Sequence, residues 1–135
     1  MVHALEKVHR LLIRGGLLIE VHDEPVSPSF ALEFEDETVD AGLLQDSAKF
    51  QEVRQANQAL DQVINTYLFE RLDFQIMPYQ IHIDSLDSYA EWRERQWDTT
   101  YVESTVETYI RQSMSGTASR LIVSRVAQVT ILKSL

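Results

Sequence analysis

The first 22 residues hold the pattern that most restricts the fold: a helical stripe, a glycine pair and a short apolar run. Apolar residues recur at helical spacing from Leu5 to Leu12, which predicts a helix over residues 3–13. Residues 15–16 are both glycine, and glycine readily adopts the left-handed conformation that ends many helices. Residues 17–22 are too few for a helix and are apolar on both faces at their start. They therefore predict a strand buried on both sides, as in a parallel sheet.

The rest of the chain also predicts helices and strands in alternation. The expected elements are an edge strand or hairpin arm at 30–37, a helix at 47–70, a strand at 74–83, a helical insert at 86–113 and a terminal β segment at 117–132. Pro78 predicts a bulge or an edge position within its strand. A chain of 135 residues with this order is expected to form a single α/β domain over residues 1–135.

The charge of the chain is negative and unevenly distributed. There are 21 acidic and 12 basic residues, which gives a net charge of −9. No Lys or Arg occurs between Arg14 and Lys49, and nine acidic residues lie in that gap. This balance argues against a nucleic-acid partner or a polybasic membrane contact, because both need a basic surface. It also argues against an anionic substrate near residues 20–46.

Several classes of site and location are excluded by what the sequence lacks. It contains no cysteine, so disulfides, thiolate metal sites and cysteine nucleophiles are excluded. Its four glycines form neither a G-x-G-x-x-G motif nor a P-loop. No apolar run approaches the ~20 residues of a membrane span, and the first residues lack the apolar core of a secretory signal. We therefore expect a cytoplasmic protein with no membrane segment.

The end of the first predicted strand carries the polar residues best placed for chemistry. Glu20 and His22 lie two apart, so they face the same way on a strand, and Asp23 and Glu24 follow. Ligands of α/β sheets bind outside the carboxyl ends of strands. His22 could act there as a general base oriented by Glu20, or bind a metal with Asp23 or Glu24. The alternative is a polar loop that leaves the sheet.

Aromatic residues are concentrated in the predicted helical insert. Trp92 and Trp97 lie there with Tyr89 and Tyr101. They could line an apolar pocket, or they could pack the insert onto the sheet.

Alternating glutamates mark the predicted edge strand. Glu33, Glu35 and Glu37 could bind a divalent cation, or they could keep the strand soluble and unpaired.

Residues 5–22 resemble a block of class I S-adenosylmethionine-dependent methyltransferases. In that family a helix ends in a His-Arg-hydrophobic-Leu-Lys-Pro-Gly-Gly-like run, and the fifth strand follows at once. Residues 9–12 (His-Arg-Leu-Leu) and 15–16 (Gly-Gly) match, while residues 13–14 (Ile-Arg) replace the usual basic-proline pair. The later order of elements is similar to the last strands of the family: strand five, strand six, and an antiparallel strand seven lying between them.

The resemblance implies a partial Rossmann-like methyltransferase sheet, with strands in the order 5-7-6 and a helical insert before the last strand. The family binds S-adenosylmethionine through residues that lie upstream of the matching block, so the resemblance implies no cofactor-binding residue in this chain. We also expect no metal site. It leaves a substrate-side scaffold of His22, Asp23 and Glu24 after the fifth strand, and the insert around Trp92 and Trp97.

Without the neighbouring fourth strand, the resemblance also implies an open apolar edge at residues 17–21 and a bare sheet face. Such edges recruit another strand. We therefore expect a homo-oligomer, or a complementary chain that completes the sheet.

Three functions remain open from the sequence. The first is a methyltransferase-related interaction module that neither binds S-adenosylmethionine nor catalyses alone. The second is an active subunit of a small-molecule methyltransferase completed by a partner chain, in which His22 or a nearby acid deprotonates a neutral or cationic substrate. The third is a small binding protein of unrelated fold with a pocket among Trp92, Trp97 and Tyr101.

Overall fold

The computed structural model describes residues 1–96 and 100–135, apart from the side chain of Ser47. The elements in chain order are α1 (Val2–Leu11), β1 (Leu17–Asp23), β2 (Ser29–Glu33), β3 (Thr38–Leu43), α2 (Ser47–Asn65), β4 (Phe69–Ile83), α3 (Leu86–Glu94), α4 (Ser104–Met114) and β5 (Arg120–Ser134). The expected α/β class is therefore confirmed, and α3 and α4 occupy the expected helical insert. None of the helices in this part of the chain is long and apolar enough to cross a membrane.

Strand β5 is the main pairing partner in the structure. Strands β1, β2 and β4 each pair with β5, and β3 pairs with β2. The pairs β1–β5, β2–β5 and β2–β3 are antiparallel. The chain divides into two compact units: unit 1 is Met1–Pro25, Lys49–Met77 and Ala127–Leu135, and unit 2 is Val26–Ala48 and Pro78–Val126.

Unit 1 packs helices α1 and α2 against one face of its strands. Its buried apolar residues are Leu5, Ala59, Leu60, Val63, Phe69 and Leu132. Helix α2 contributes three of them at helical spacing, and Leu18 of β1 packs against the same cluster. Burial of each large side chain of this kind stabilises the fold by about 1.5–3 kcal/mol.

The interpretation of residues 17–22 as a strand buried on both faces is wrong. Leu17, Ile19 and Val21 are exposed, whereas Leu18 and Glu20 are half-buried. The strand is antiparallel to β5, from Leu17 opposite Lys133 to Asp23 opposite Ala127. Apolar composition alone predicted burial on both sides, but in the described part of unit 1 helices cover only one face of β1.

The glycine pair forms a turn and does not end helix α1. The helix ends at Leu11, because Leu12 is already extended (φ −82°, ψ 140°). Gly15 adopts a positive φ of 81°, a conformation that L side chains rarely take. The Gly15 N–H donates to the Ser134 carbonyl and the Ser134 N–H donates to the Gly16 carbonyl, both at 2.8 Å. The pair thus brings the chain onto β5 just before β1 begins.

Two predicted boundaries were also wrong. Helix α2 ends at Asn65, five residues before the expected end, because Tyr67 adopts a positive φ of 58°. Strand β4 consequently begins at Phe69, where the sequence predicted a start at residue 74.

Unit 2 is built on the hairpin of β2 and β3. Strand β2 lies between β3 and the first part of β5, and helices α3 and α4 complete the core. Its buried residues are Phe30, Leu32, Ala41, Leu44, Ile83, Tyr89, Val102, Ile110, Leu121 and Val123. Ser85 caps helix α3, since the Ser88 N–H donates to Ser85 Oγ at 3.0 Å.

Candidate functional site

The polar end of β1 lies on the face of the strand that the helices cover. Glu20 and His22 have the same parity as Leu18, which packs against the core of unit 1. His22 Nδ1 lies 2.7 Å from Glu20 Oε1, and the two side chains are only 13% and 11% exposed. An ionised carboxylate can only accept hydrogen bonds, so this contact favours the tautomer of His22 that carries the proton on Nδ1. In neutral His22, Nε2 then has the free lone pair.

Three buried polar atoms at this place have no hydrogen-bond partner among the described residues. They are His22 Nε2, Glu20 Oε2 and Thr130 Oγ1. Thr130 is fully buried and lies directly opposite Glu20 in the β1–β5 register. An unsatisfied buried polar group costs about 1–3 kcal/mol, so these atoms require a bound water, an ion or a functional role.

Strand β5 and helix α2 supply the rest of the polar residues around this pair. Gln128 lies opposite His22 in the register, and its Nε2 donates to Asn57 Oδ1 of α2 at 2.9 Å. Asp23 forms an ion pair with Lys49, at the start of α2. We call these residues the polar cluster: Glu20, His22, Asp23, Lys49, Asn57, Gln128 and Thr130.

The chemistry that this arrangement allows is proton transfer or polar binding at His22. A histidine held by a carboxylate, with its second nitrogen free to accept, is the usual arrangement of a general base. The arrangement does not support a metal centre at His22. In the part of the chain described, no group of three or more His, Asp or Glu could hold a metal ion.

The structure brings together only some of the predicted site residues. His22 and Asp23 belong to the polar cluster, and Glu24 follows as a half-buried residue of the next loop. Trp92 packs into the core of unit 2, with its ring centroid 6.1 Å from those of both Phe30 and Tyr89. That contact fits the packing interpretation of Trp92. Trp97 lies outside the described residues.

The partners from β5 and α2 were missed in the sequence. Asn57, Gln128 and Thr130 are ordinary polar residues within a helix and a strand, and no local motif marks them. The alternation of β5 does place Gln128 and Thr130 on one face with the buried Leu132, which is the only signal that the sequence offered.

Unit 2 has an open pocket of about 520 Å³ that the sequence did not predict. Its lining includes Ser27, Ser29, Tyr79, Ser124 and the buried Arg125. One guanidinium nitrogen of Arg125 donates to Gln96 Oε1 at 3.1 Å.

The glycines do not form a cradle for a nucleotide cofactor. Gly15 and Gly16 bond to Ser134, Gly42 lies against Val106, and Gly116 follows helix α4. None lies in a turn from a strand into a helix, which is the arrangement that binds a nucleotide at the helix N-terminus. These four glycines therefore offer no cradle of that kind for S-adenosylmethionine.

Comparison of the chain with protein-family models, with curated proteins and with solved structures found no match.

Proposed function

We propose that this chain is a methyltransferase-related module, equivalent to the C-terminal sheet of a class I domain, that acts by assembly and does not catalyse alone. The observation that supports this most directly is the pairing of β5. Strand β5 is antiparallel to β1 and also pairs with β4. In unit 1, β1 occupies one edge of β5, so β4 lies along the other, where the Leu135 N–H donates to the Leu68 carbonyl. An order of β1, β5 and β4 is compatible with the 5-7-6 order that the resemblance implies, and this compatibility supports the proposal.

The same proposal explains why the chain would need a partner. Strand β1 is an edge strand, and its face away from the helices is apolar and exposed. Open edges and large apolar surfaces mark sites of association. Cofactor binding would require a segment beyond these residues, on this or another polypeptide.

Calorimetric titration with S-adenosylmethionine tests the proposal. The 135-residue chain, shown to be folded by circular dichroism, is expected to release no heat beyond dilution. Micromolar binding would contradict the proposal and favour the enzyme described next.

A second candidate function is an active subunit of a small-molecule methyltransferase. The observation that favours it is the polar cluster, in which His22 Nε2 is buried, unpartnered among the described residues and able to accept a proton. His22 would deprotonate the nucleophilic atom of the substrate. The acidic stretch at residues 20–46 favours a neutral or cationic substrate over an anionic one.

If the chain with its partner transfers methyl groups, a substitution pair tests the role of His22. His22→Gln is expected to lower the rate about 10²–10⁴-fold, the usual contribution of a general base. His3→Gln is the matched control, because the His3 side chain is 73% exposed on α1. Equal rates for the two variants would exclude His22 as the base.

A further inference from the structure

The face of unit 1 that the helices leave uncovered carries a continuous apolar surface. On β1, Leu17, Ile19 and Val21 are 58%, 63% and 59% exposed. In the antiparallel register Ile19 lies opposite Ile131 and Val21 lies opposite Val129. Directly opposed residues share one face of a sheet, so β5 continues the apolar surface of β1.

Strand β4 extends the same surface on the other side of β5. Lys133 lies opposite Leu17, so it is on this face, and its Nζ is 3.6 Å from Glu70 Oε2 of β4. Residues of β4 with the parity of Glu70 therefore point the same way. These are Leu72, Phe74 and Ile76, which are 50%, 45% and 49% exposed. We call the eight apolar residues the open face: Leu17, Ile19, Val21, Leu72, Phe74, Ile76, Val129 and Ile131.

The size of the open face is that of a protein interface. Six large side chains that are each about half exposed present on the order of 600 Å² of apolar surface, against about 800 Å² per partner in a standard interface. The largest apolar patch on a typical monomer is about 300–600 Å². Two such faces packed together would thus bury more than the roughly 1,000 Å² in total that a specific contact requires.

The charges around the open face suit a second copy of the chain. Unit 1 contains eight acidic and seven basic residues, so its net charge is −1, while unit 2 carries the remaining −8. On the face itself, among the described residues, Lys133 and Glu70 pair with each other, and Asp23, which has the parity of Val21 at the end of β1, pairs with Lys49. Two copies that meet here therefore bring no unpaired charge of the face together. A strongly charged partner would find no complementary charge.

We propose that two copies of this chain associate through the open face, sheet against sheet, about a two-fold axis. The inference rests on the proposed assembly role, and it identifies the partner as a second copy of the chain. Two sheets pack about 10 Å apart with their inner side chains interdigitated, and an isologous contact uses the same patch on both copies. Each open-face residue is consequently present twice in the interface, once from each copy.

Sedimentation of lysine variants tests the proposal. The wild-type chain is expected to be a dimer, and Ile19→Lys and Leu72→Lys are each expected to raise the dimer Kd by about 100-fold or more, because every dimer would bury two unpaired charges. The matched controls are Ile13→Lys and Leu11→Lys, which make the same changes at residues that are 82% and 85% exposed and lie outside the face. These controls should remain dimeric.

A single-cysteine probe provides an independent measurement, because the chain has no cysteine of its own. A spin label attached to Ile19→Cys should show strong dipolar broadening between copies, and one attached to Ile13→Cys should not. A monomeric wild type, a dimer that survives both open-face lysines, or equal broadening at the two labels would each overturn the proposal. None of these results depends on S-adenosylmethionine. The dimer proposal can therefore be wrong while the proposed function is right, and the proposed function can be wrong while the dimer proposal is right.

Discussion

The fold alters the titration of Tyr89. It is fully buried, its hydroxyl donates to Glu107, and Arg111 lies over its ring at 5.4 Å. Burial raises the pKa of Tyr89, and the hydrogen bond to Glu107 and its negative charge raise that pKa further, against the opposing effect of Arg93 and Arg111. The raised pKa means that Tyr89 stabilises the fold fully below pH about 10, its value in the unfolded chain, and that this contribution is lost as the pH rises toward the folded value.

We therefore expect Tyr89→Phe to act in two ways. At neutral pH it should lower the free energy of unfolding by about 1–3 kcal/mol, because a buried hydrogen bond to a charged group is lost. Above pH 10, Tyr89 should lower the free energy of unfolding of the wild-type chain by up to about 1.4 kcal/mol per pH unit. The Tyr89→Phe variant should lack this part of the decrease. Urea unfolding between pH 7 and 11 measures both, with Tyr109→Phe on α4 as the control. An alkaline profile that is identical in Tyr89→Phe and wild type would contradict this assignment.

The His22–Glu20 pair makes a prediction about protonation geometry. Because Nδ1 lies against a carboxylate, neutral His22 should be the Nδ1-protonated tautomer. Nitrogen-15 NMR at neutral pH distinguishes the two tautomers, and Glu20→Ala should remove the preference. Observation of the Nε2-protonated form of His22 would remove the basis for its role as a base.

The sequence predicted the residues of the polar cluster that lie on β1, and it missed those on β5 and α2 for one physical reason. Two-residue spacing on a strand places Glu20 and His22 on one face, and the structure joins them. Gln128 and Thr130 reach them only through the register of β1 with β5, which is fixed by the whole sheet and not by local pattern. Asn57 depends in addition on how α2 packs.

At the scale of elements, type and order were predictable and burial was not. The helical stripes of α1 and α2 predicted helices, and the alternation at residues 30–37 predicted a hairpin arm, because those patterns are local. The alternative of an edge strand is wrong, since β2 pairs with both β3 and β5. The burial of β1 depends on which layers cover it, and an apolar run is compatible with one covered face or two. The turn at residues 15–16 was predictable as a break, but its bond to Ser134 was not.

The contact between β3 and α4 depends on the absence of a side chain at Gly42. Gly42 has a φ of 121°, and a Cβ there would lie 2.8 Å from Val106 Cγ2. Gly42→Ala should thus destabilise unit 2 by about 1–3 kcal/mol, partly through backbone strain and partly through overpacking.

A double-mutant cycle with Val106→Ala separates the two causes of that loss. Removing the valine methyl groups relieves the clash but not the strain, so the double variant should lose less stability than the two single variants together. Chemical denaturation measures each free energy of unfolding. Strict additivity would show that Val106 does not limit the space at Gly42.

At the scale of the whole molecule, the net charge of −9 separates into two unequal parts. Unit 2 carries −8, and five of its acids lie between Glu33 and Asp40 at the tip of the hairpin. Glu33 pairs with Arg120 at 3.2 Å, whereas Glu35, Asp36 and Glu37 form the exposed turn. The sequence predicted where the acids are concentrated, and the structure shows that three of them are adjacent in the turn between β2 and β3.

Repulsion within that turn should make the stability of the chain depend on salt. At low ionic strength the screening length is about 30 Å, and it falls to about 8 Å at physiological salt, so added NaCl should raise the free energy of unfolding. The triple variant Glu35→Gln, Asp36→Asn, Glu37→Gln should be more stable than wild type at low salt and respond less to NaCl. Glu91→Gln is the control, because it removes an acid that pairs with Arg95 at 3.8 Å and should give no such gain. Thermal unfolding across a salt series measures the effect. If the triple variant is less stable than wild type at low salt, the acids of the turn act through contacts and not through repulsion.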